Sequence, residues 1–185
     1  MQALLASYEK DENLLRLGKL LQEKGWKLLG SAGTAKYLNE NGIECRDVAE
    51  IVGPPILGHR VVTLSRELHA ALLATPKDTE ELKKLGLEPI DLVYVMLYPL
   101  EKAVENGASP DDVLEKTDIG GPTLLRAAAK GRRLVLSSPQ QLNEFEKRLE
   151  EGTTGDENYR IALAAAAERR VADYANMSAK HWENK

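Results

Sequence analysis

The chain has 185 residues, 43% of them hydrophobic, which suits one compact domain with its own core and leaves little for a second. Its 29 acidic and 25 basic residues give a net charge of -4, so no overall positive field exists to hold a polyanion, and nucleic acid is not expected as a partner. The only cysteine, Cys45, excludes an intrachain disulfide, and charges interrupt the apolar positions near the N-terminus, so neither a signal peptide nor a membrane span is expected and the protein reads as soluble and cytoplasmic.

ALLAS predicts a short buried strand, and ENLLRLGKLLQEKG then places leucines at helical spacing and closes at Gly25. WKLLG predicts a second strand, GTAKYLNENG a helix ending on Asn41 and Gly42, and IECRDV a third strand. This alternation implies a parallel sheet with helices packed on it. VGPPILGHR carries two glycines and two prolines in nine residues, which predicts a loop near a ligand. VVTLSRELHAALLAT passes from extended to helical, DTEELKKLG makes a short amphipathic helix, and DLVYVML reads as a buried central strand.

YPLEKAVENG and SPDDVLEKT are helical pieces, the second capped by Ser109 with Pro110 at its first position. PTLLRAAAKG is a helix ending at Gly131, RRLVLSS the last strand, and PQQLNEFEKRLEEG a further helix. An alanine-rich helix from about Asn158 to Lys180 closes the chain. With no repeat and no low-complexity tract, the expected architecture is one α/β domain over residues 1–185, with a mostly parallel sheet, helices on both faces and a helical C-terminal extension.

Two junctions carry chemistry. In GSAGTAKYL a strand ends in small residues and a helix starts at once, so backbone N–H groups and the hydroxyls of Ser31 and Thr34 are suited to an anion; a tight turn with Thr34 as helix cap explains the same residues. In TDIGGPTLLRAAAK, Asp118 precedes Gly120 and Gly121, which allow close approach of backbone to a bound ring; a plain helix cap is the alternative. Arg126, Lys130, Arg132 and Arg133 offer positive charge, although cations near a helix C-terminus also suit its dipole. Tyr98 follows a strand, where open parallel sheets place ligand groups. His59, His69 and His181 are scattered, so no metal site is expected, and neither a Walker pattern nor a GxSxG elbow is present.

SAGTAKYL is similar to the (S/T)-x-G-T-A-x-x-L phosphate-site pattern shared by IMP cyclohydrolases, methylglyoxal synthases and a regulatory domain of carbamoyl phosphate synthetase. LEPIDLVYVMLYP and EKTDIGGPTLLRAAAKG are similar to the cyclohydrolase segments IEPIDLVVVNLYP and IDIGGPAMLRAAAKN. Over nearly its whole length the chain thus resembles the IMP cyclohydrolase domain of the bifunctional AICAR transformylase/IMP cyclohydrolase, a domain of methylglyoxal-synthase-like three-layer fold. The transformylase domain that follows in that family is not expected here.

The resemblance implies that Lys10, Ser31, Gly33, Thr34, Arg60 and Thr63 meet the phosphate and ribose of a phosphorylated ribonucleotide. It implies that Tyr98, Asp118, Gly120, Gly121 and Lys130 meet the base. The implied reaction, in the family a cyclic-amidine hydrolase run in the ring-closing direction, joins a carboxamide nitrogen to a formyl carbon with loss of water and uses no cofactor. Asp118 would assist deprotonation of the amide, while Tyr98 and Lys130 would stabilise or protonate the oxyanion. A homodimer is also implied, and IALAAAAERRVADYA offers a flat helical face for it or for packing on its own sheet.

The departures fall at the site. RVVTLSRELHAA stands where the family reads RVKTLHPKVHGG, so Val62 replaces a lysine, for which Lys130 or Arg66 are candidate substitutes. ASYEKDE keeps Lys10 but lacks both serines of SVSDKTG, Met96 replaces an asparagine, and Lys130, Gly131 and Arg132 stand at the family's KNH. Val62 and Met96 support a second reading, a non-catalytic or regulatory module that binds a phosphorylated metabolite; methylglyoxal synthase has only the shared fold in its favour.

Overall fold

The computed structural model describes residues 1–58 and 60–183; His59 lies outside the described residues. Five strands form one all-parallel sheet: β1 (Gln2–Ser7), β2 (Lys27–Gly30), β3 (Arg46–Asp47), β4 (Leu92–Met96) and β5 (Leu134–Leu136), in the order β3-β2-β1-β4-β5. The two central strands are apolar runs, ALLA in β1 and LVYV in β4, because helices cover both faces of a parallel sheet and neither face meets water.

The helices in chain order are α1 (Glu12–Glu23), α2 (Ala32–Glu40), α3 (Ala49–Val52), α4 (Arg66–Leu73), α5 (Thr79–Lys84), α6 (Leu100–Glu105), α7 (Pro110–Lys116), α8 (Gly120–Lys130), α9 (Leu142–Glu150) and α10 (Glu157–Glu183). Local chemistry sets several of their ends. Asp11 accepts from the Leu14 N–H at 3.0 Å to start α1, and Ser109 accepts from the Asp112 N–H at 3.1 Å to start α7, with Pro110 in the first turn. Helix α1 packs with α9, while α8 packs with α4 and α10, so the sheet lies inside a three-layer α/β arrangement. Buried side chains from Ala3 to Tyr174 join in one core cluster.

Helix α10 turns Tyr159, Leu163, Ala167 and Tyr174 inward against α8 and β5. Its alanine-rich stretch therefore covers its own fold, as small side chains let the helix approach closely. Among the described residues no helix is long and apolar enough to cross a membrane.

The third strand is shorter than IECRDV predicts, because side chains from neighbouring helices occupy its backbone. The Asn39 amide donates to the Cys45 carbonyl at 2.7 Å and accepts the Cys45 N–H at 3.1 Å, and Gln22 accepts the Glu44 N–H at 2.6 Å. Only Arg46 and Asp47 remain to pair with β2. The extended start expected of VVTLSRELHAALLAT is likewise reduced to a bridge between Val61 and Ile56, after which Ser65 caps α4 by accepting from Leu68 N–H at 3.1 Å.

Phe145, fully buried on α9, is the sole phenylalanine of the core. Phe145→Ala is expected to lower the unfolding free energy by about 3–5 kcal/mol, read from urea denaturation, and a loss below about 1 kcal/mol would contradict this packing.

Candidate active site

From β1 the chain builds outward through β2 to β3, and β4 and β5 are then added on the other side of β1. The sheet order therefore reverses between β1 and β4, and the carboxyl ends of these strands open a crevice. A cavity of about 770 Å³ occupies it, lined by Ser7 at the end of β1 and Tyr8 after it, Ser31 after β2, Met96 at the end of β4 and Tyr98 after it, the loop residues Arg60, Val62 and Thr63, and the segment from Leu114 to Gly121. The two sequence-predicted turns thus share one site.

At the first turn β2 ends on Gly30, where a Cβ would lie 2.8 Å from Ala35 N and 2.9 Å from Cys45 Sγ; no larger residue fits. The cap of α2 is Ser31 rather than Thr34: its carbonyl accepts the N–H groups of Thr34 at 2.7 Å and Ala35 at 2.8 Å. Ala32 and Gly33 are left as the first N–H donors of the helix, which have no intrahelical acceptor. Lys10 lies against Gly33, where a Cβ would stand 3.9 Å from Nζ; its ammonium donates to the Ser7 carbonyl, and burial lowers its pKa. Ser31 lines the crevice, and Lys10 and Gly33 lie together at the turn behind it.

Thr34 does not present its hydroxyl to this turn. It is fully buried, and Oγ1 accepts the Ser7 N–H at 3.1 Å and the Ser31 hydroxyl at 3.0 Å. The anion contact expected of the Thr34 side chain is corrected to an internal tie between α2 and β1, because the third residue of the helix points back toward the sheet.

At the second turn Asp118 both lines the cleft and caps α8, its Oδ1 accepting the Gly121 N–H at 2.9 Å. Burial raises its pKa and outweighs the opposing bonds from the Gly121 and Gly120 amides. A Cβ on Gly120 would overlap Thr63 Oγ1, and one on Gly121 would overlap Asp118 Oδ2, which explains the glycine pair by close approach. Tyr98 is nearly buried and packs edge-to-face with Tyr8, ring centroids 4.7 Å apart at 89°.

The cations are distributed differently from the sequence expectation. Lys130 is exposed at the far end of α8, ten residues beyond Gly120 and so about 15 Å along the helix axis. It does not line the cleft of its own chain, because α8 starts at the site and runs away from it. Arg66 pairs with Glu67 at 3.3 Å and also lies outside the lining. Arg60 reaches the cleft but its guanidinium donates to both oxygens of Glu115, Nε at 3.1 and 3.2 Å and a terminal nitrogen at 2.7 Å. Lys116, which sequence reasoning passed over, lines the cleft with Nζ 6.0 Å from the Tyr98 ring centroid.

Tyr174 was also missed. Its hydroxyl accepts the Asp118 N–H at 2.8 Å, and burial raises its pKa. The helical spacing of Tyr159, Leu163, Ala167 and Tyr174 marks an inward stripe on α10, but spacing does not say what the stripe meets. Val62 and Met96 pack against the core and give the cleft an apolar lining. Cys45 is buried, its thiol pushed up to about 12 by burial and by Asp47, which leaves it unreactive. Among the described residues no group of three metal-ligating side chains is arranged to hold a metal.

A family model for the MGS-like domain matches residues 13–123. The bifunctional purine biosynthesis protein PurH of Aquifex aeolicus is 43% identical over 158 residues, 82% of this chain and 31% of that protein. PurH of Persephonella marina is 39% identical over 176 residues, 92% of this chain and 34% of that protein. The chain spans about a third of the length of these curated relatives. The crystal structure of ForH matches with a TM-score of 0.82 at 33% identity, covering 98% of each chain.

Thr34→Val strands the buried Ser7 N–H, so it is expected to lower stability by about 1–3 kcal/mol in chemical denaturation, with Thr34→Ser close to wild type. Asp118 gives a pH-dependent expectation of opposite sign. Its raised pKa means that the folded state binds the proton more tightly than the unfolded chain, so the ionised carboxylate disfavours folding above its folded-state pKa and the penalty fades as pH falls through it. Asp118→Asn is therefore expected to match or exceed the wild-type Tm at about pH 8, with the advantage shrinking on acidification. A pH-independent loss of Tm would contradict the burial account.

Proposed function

The chain belongs to the MGS-like domain family, and on that premise we propose that it is an IMP cyclohydrolase-like enzyme, closing the purine ring of formylated aminoimidazole carboxamide ribonucleotide to give IMP and water in de novo purine biosynthesis. The observation that carries this reading is that Ser31, Tyr98, Asp118 and the Gly120–Gly121 pair line one crevice, with Lys10 and Gly33 beside each other at the turn that Ser31 begins. The likeness to proteins named for purine biosynthesis supports it.

In this reading Lys10 and the Ala32 and Gly33 amides take the phosphate, with Ser31, Arg60 and Thr63 beside it. The carboxamide nitrogen bonds to the formyl carbon while Asp118 accepts the nitrogen-bound proton. Burial suits Asp118 to this task by moving it toward neutral pH. The formyl oxygen takes up the displaced electron pair and receives a hydrogen bond and a first proton to become a hydroxyl. A second proton lets it leave as water as the former formamide nitrogen closes the C=N bond and loses its own proton, so the two protons gained by the oxygen balance the two lost by the nitrogens. Tyr98, a phenol in the cavity lining, is the donor for that oxygen. The cationic role implied for Lys130 passes to Lys116, because Lys130 ends α8 away from the cleft. No cofactor is required.

The same reading takes residues 1–185 as one cyclohydrolase-like unit that acts in the cytoplasm as a homodimer. Since α10 uses its alanine face on α8 and β5, the pair would form through another surface. The apolar lining at Val62 and Met96 favours a second reading, a nucleotide-binding module without turnover.

The two readings separate in a ring-closure assay that follows purine absorbance for wild type, Asp118→Asn and Val62→Lys beside an enzyme-free blank. A preorganised donor contributes about 2.7–4 kcal/mol to transition-state binding, on the order of a hundredfold or more in rate. Wild type is expected slow but above the blank, Asp118→Asn at the blank and Val62→Lys faster. Rates at the blank for all three, with IMP still bound, would replace the enzyme by the module.

A further inference from the structure

Two aromatic rings line the cleft, and they differ in exposure: Tyr98 is 9% exposed and Tyr8 is 55% exposed. The Tyr8 backbone is pinned, its N–H donating to the Met96 carbonyl at 3.0 Å to continue the β1–β4 ladder, while its carbonyl accepts from Lys10 Nζ at 3.4 Å. Its ring is held edge-to-face against Tyr98. A ring so held has little freedom left to lose when a second ring covers it, and its exposed apolar surface gains by being covered. Tyr8 also lines the same cavity as Ser31 and Asp118, and its carbonyl is within reach of Lys10, so it shares the space between the two turns.

We propose that Tyr8 is the ring-binding wall of the cleft: its exposed face stacks on the planar heterocycle of the ligand, so the site selects a base-bearing nucleotide over a sugar phosphate. The inference rests on reading the cleft as a nucleotide site and adds a specificity-determining residue to it. Tyr8 moves no proton in the reaction; it contributes contact area to the ring, and the anion turn holds whatever phosphate is attached.

Calorimetric titration of wild type, Tyr8→Ala and Tyr8→Phe with IMP and with ribose 5-phosphate tests the wall directly. Wild type is expected to prefer IMP. Tyr8→Ala is expected to weaken IMP about tenfold, the range of one base stacked on an aromatic side chain, while Tyr8→Phe stays within about twofold. Ribose 5-phosphate, which has no ring, is expected to bind all three alike, and its binding to Tyr8→Ala reports that the variant is folded. Equal affinity of wild type for the two ligands, an equal loss of both in Tyr8→Ala, or unchanged IMP binding in Tyr8→Ala overturns the stacking wall and leaves the nucleotide site standing. Wild type that binds neither ligand overturns both.

Discussion

The parallel pairing of β1 with β4, from Ala3 opposite Leu92 to Ser7 opposite Met96, is the constraint on which the site depends. The strands added before β4, β2 and β3, lie beyond β1 on one side, and β5 lies beyond β4 on the other. Connections therefore leave the two strand ends in opposite directions, and the space above them stays open. Both strands are buried on both faces, so a slip in register would misplace the polar residues that follow each strand end. Those following residues, Tyr8 after β1 and Tyr98 after β4, reach one crevice for that reason.

Two polar ties then hold the crevice walls. The Thr34 hydroxyl accepts the Ser7 N–H, joining the start of α2 to the end of β1, and the Tyr174 hydroxyl accepts the Asp118 N–H, joining α10 to the turn before α8. Both lie in protein surroundings where an unpaired N–H is costly, so each tie resists displacement of its turn. Burial also acts on the titrating groups, raising the pKa of Asp118 and lowering that of Lys10. Desolvation thus opposes the charged form of both groups.

Backbone geometry and side-chain chemistry part company here. Gly30, Gly120 and Gly121 are each required by contacts that leave no room for a Cβ, so the frame of the site follows the family it resembles. Tyr8, Val62 and Met96 stand where the resembling motifs carry a serine, a lysine and an asparagine, and all three line the cavity. The frame sets the shape of the cavity, and these three side chains set the surfaces it presents.

Much of this was legible in the order of residues. The apolar runs of β1 and β4, the cap at Ser109 with Pro110, and the glycine pair after Asp118 are local signals, because periodicity, capping and turn conformation depend on near neighbours. The shortened third strand was not legible, since Asn39 and Gln22 reach its backbone from helices that only folding brings beside it. Nor was the inward turn of Thr34, the remoteness of Lys130 or the reach of Tyr174 across 56 residues to Asp118. By itself the sequence determined the elements and the two small-residue turns. The tertiary structure alone decided which side chains share the crevice, because sheet order and helix direction are set by burial summed over the whole chain and not by any segment of it.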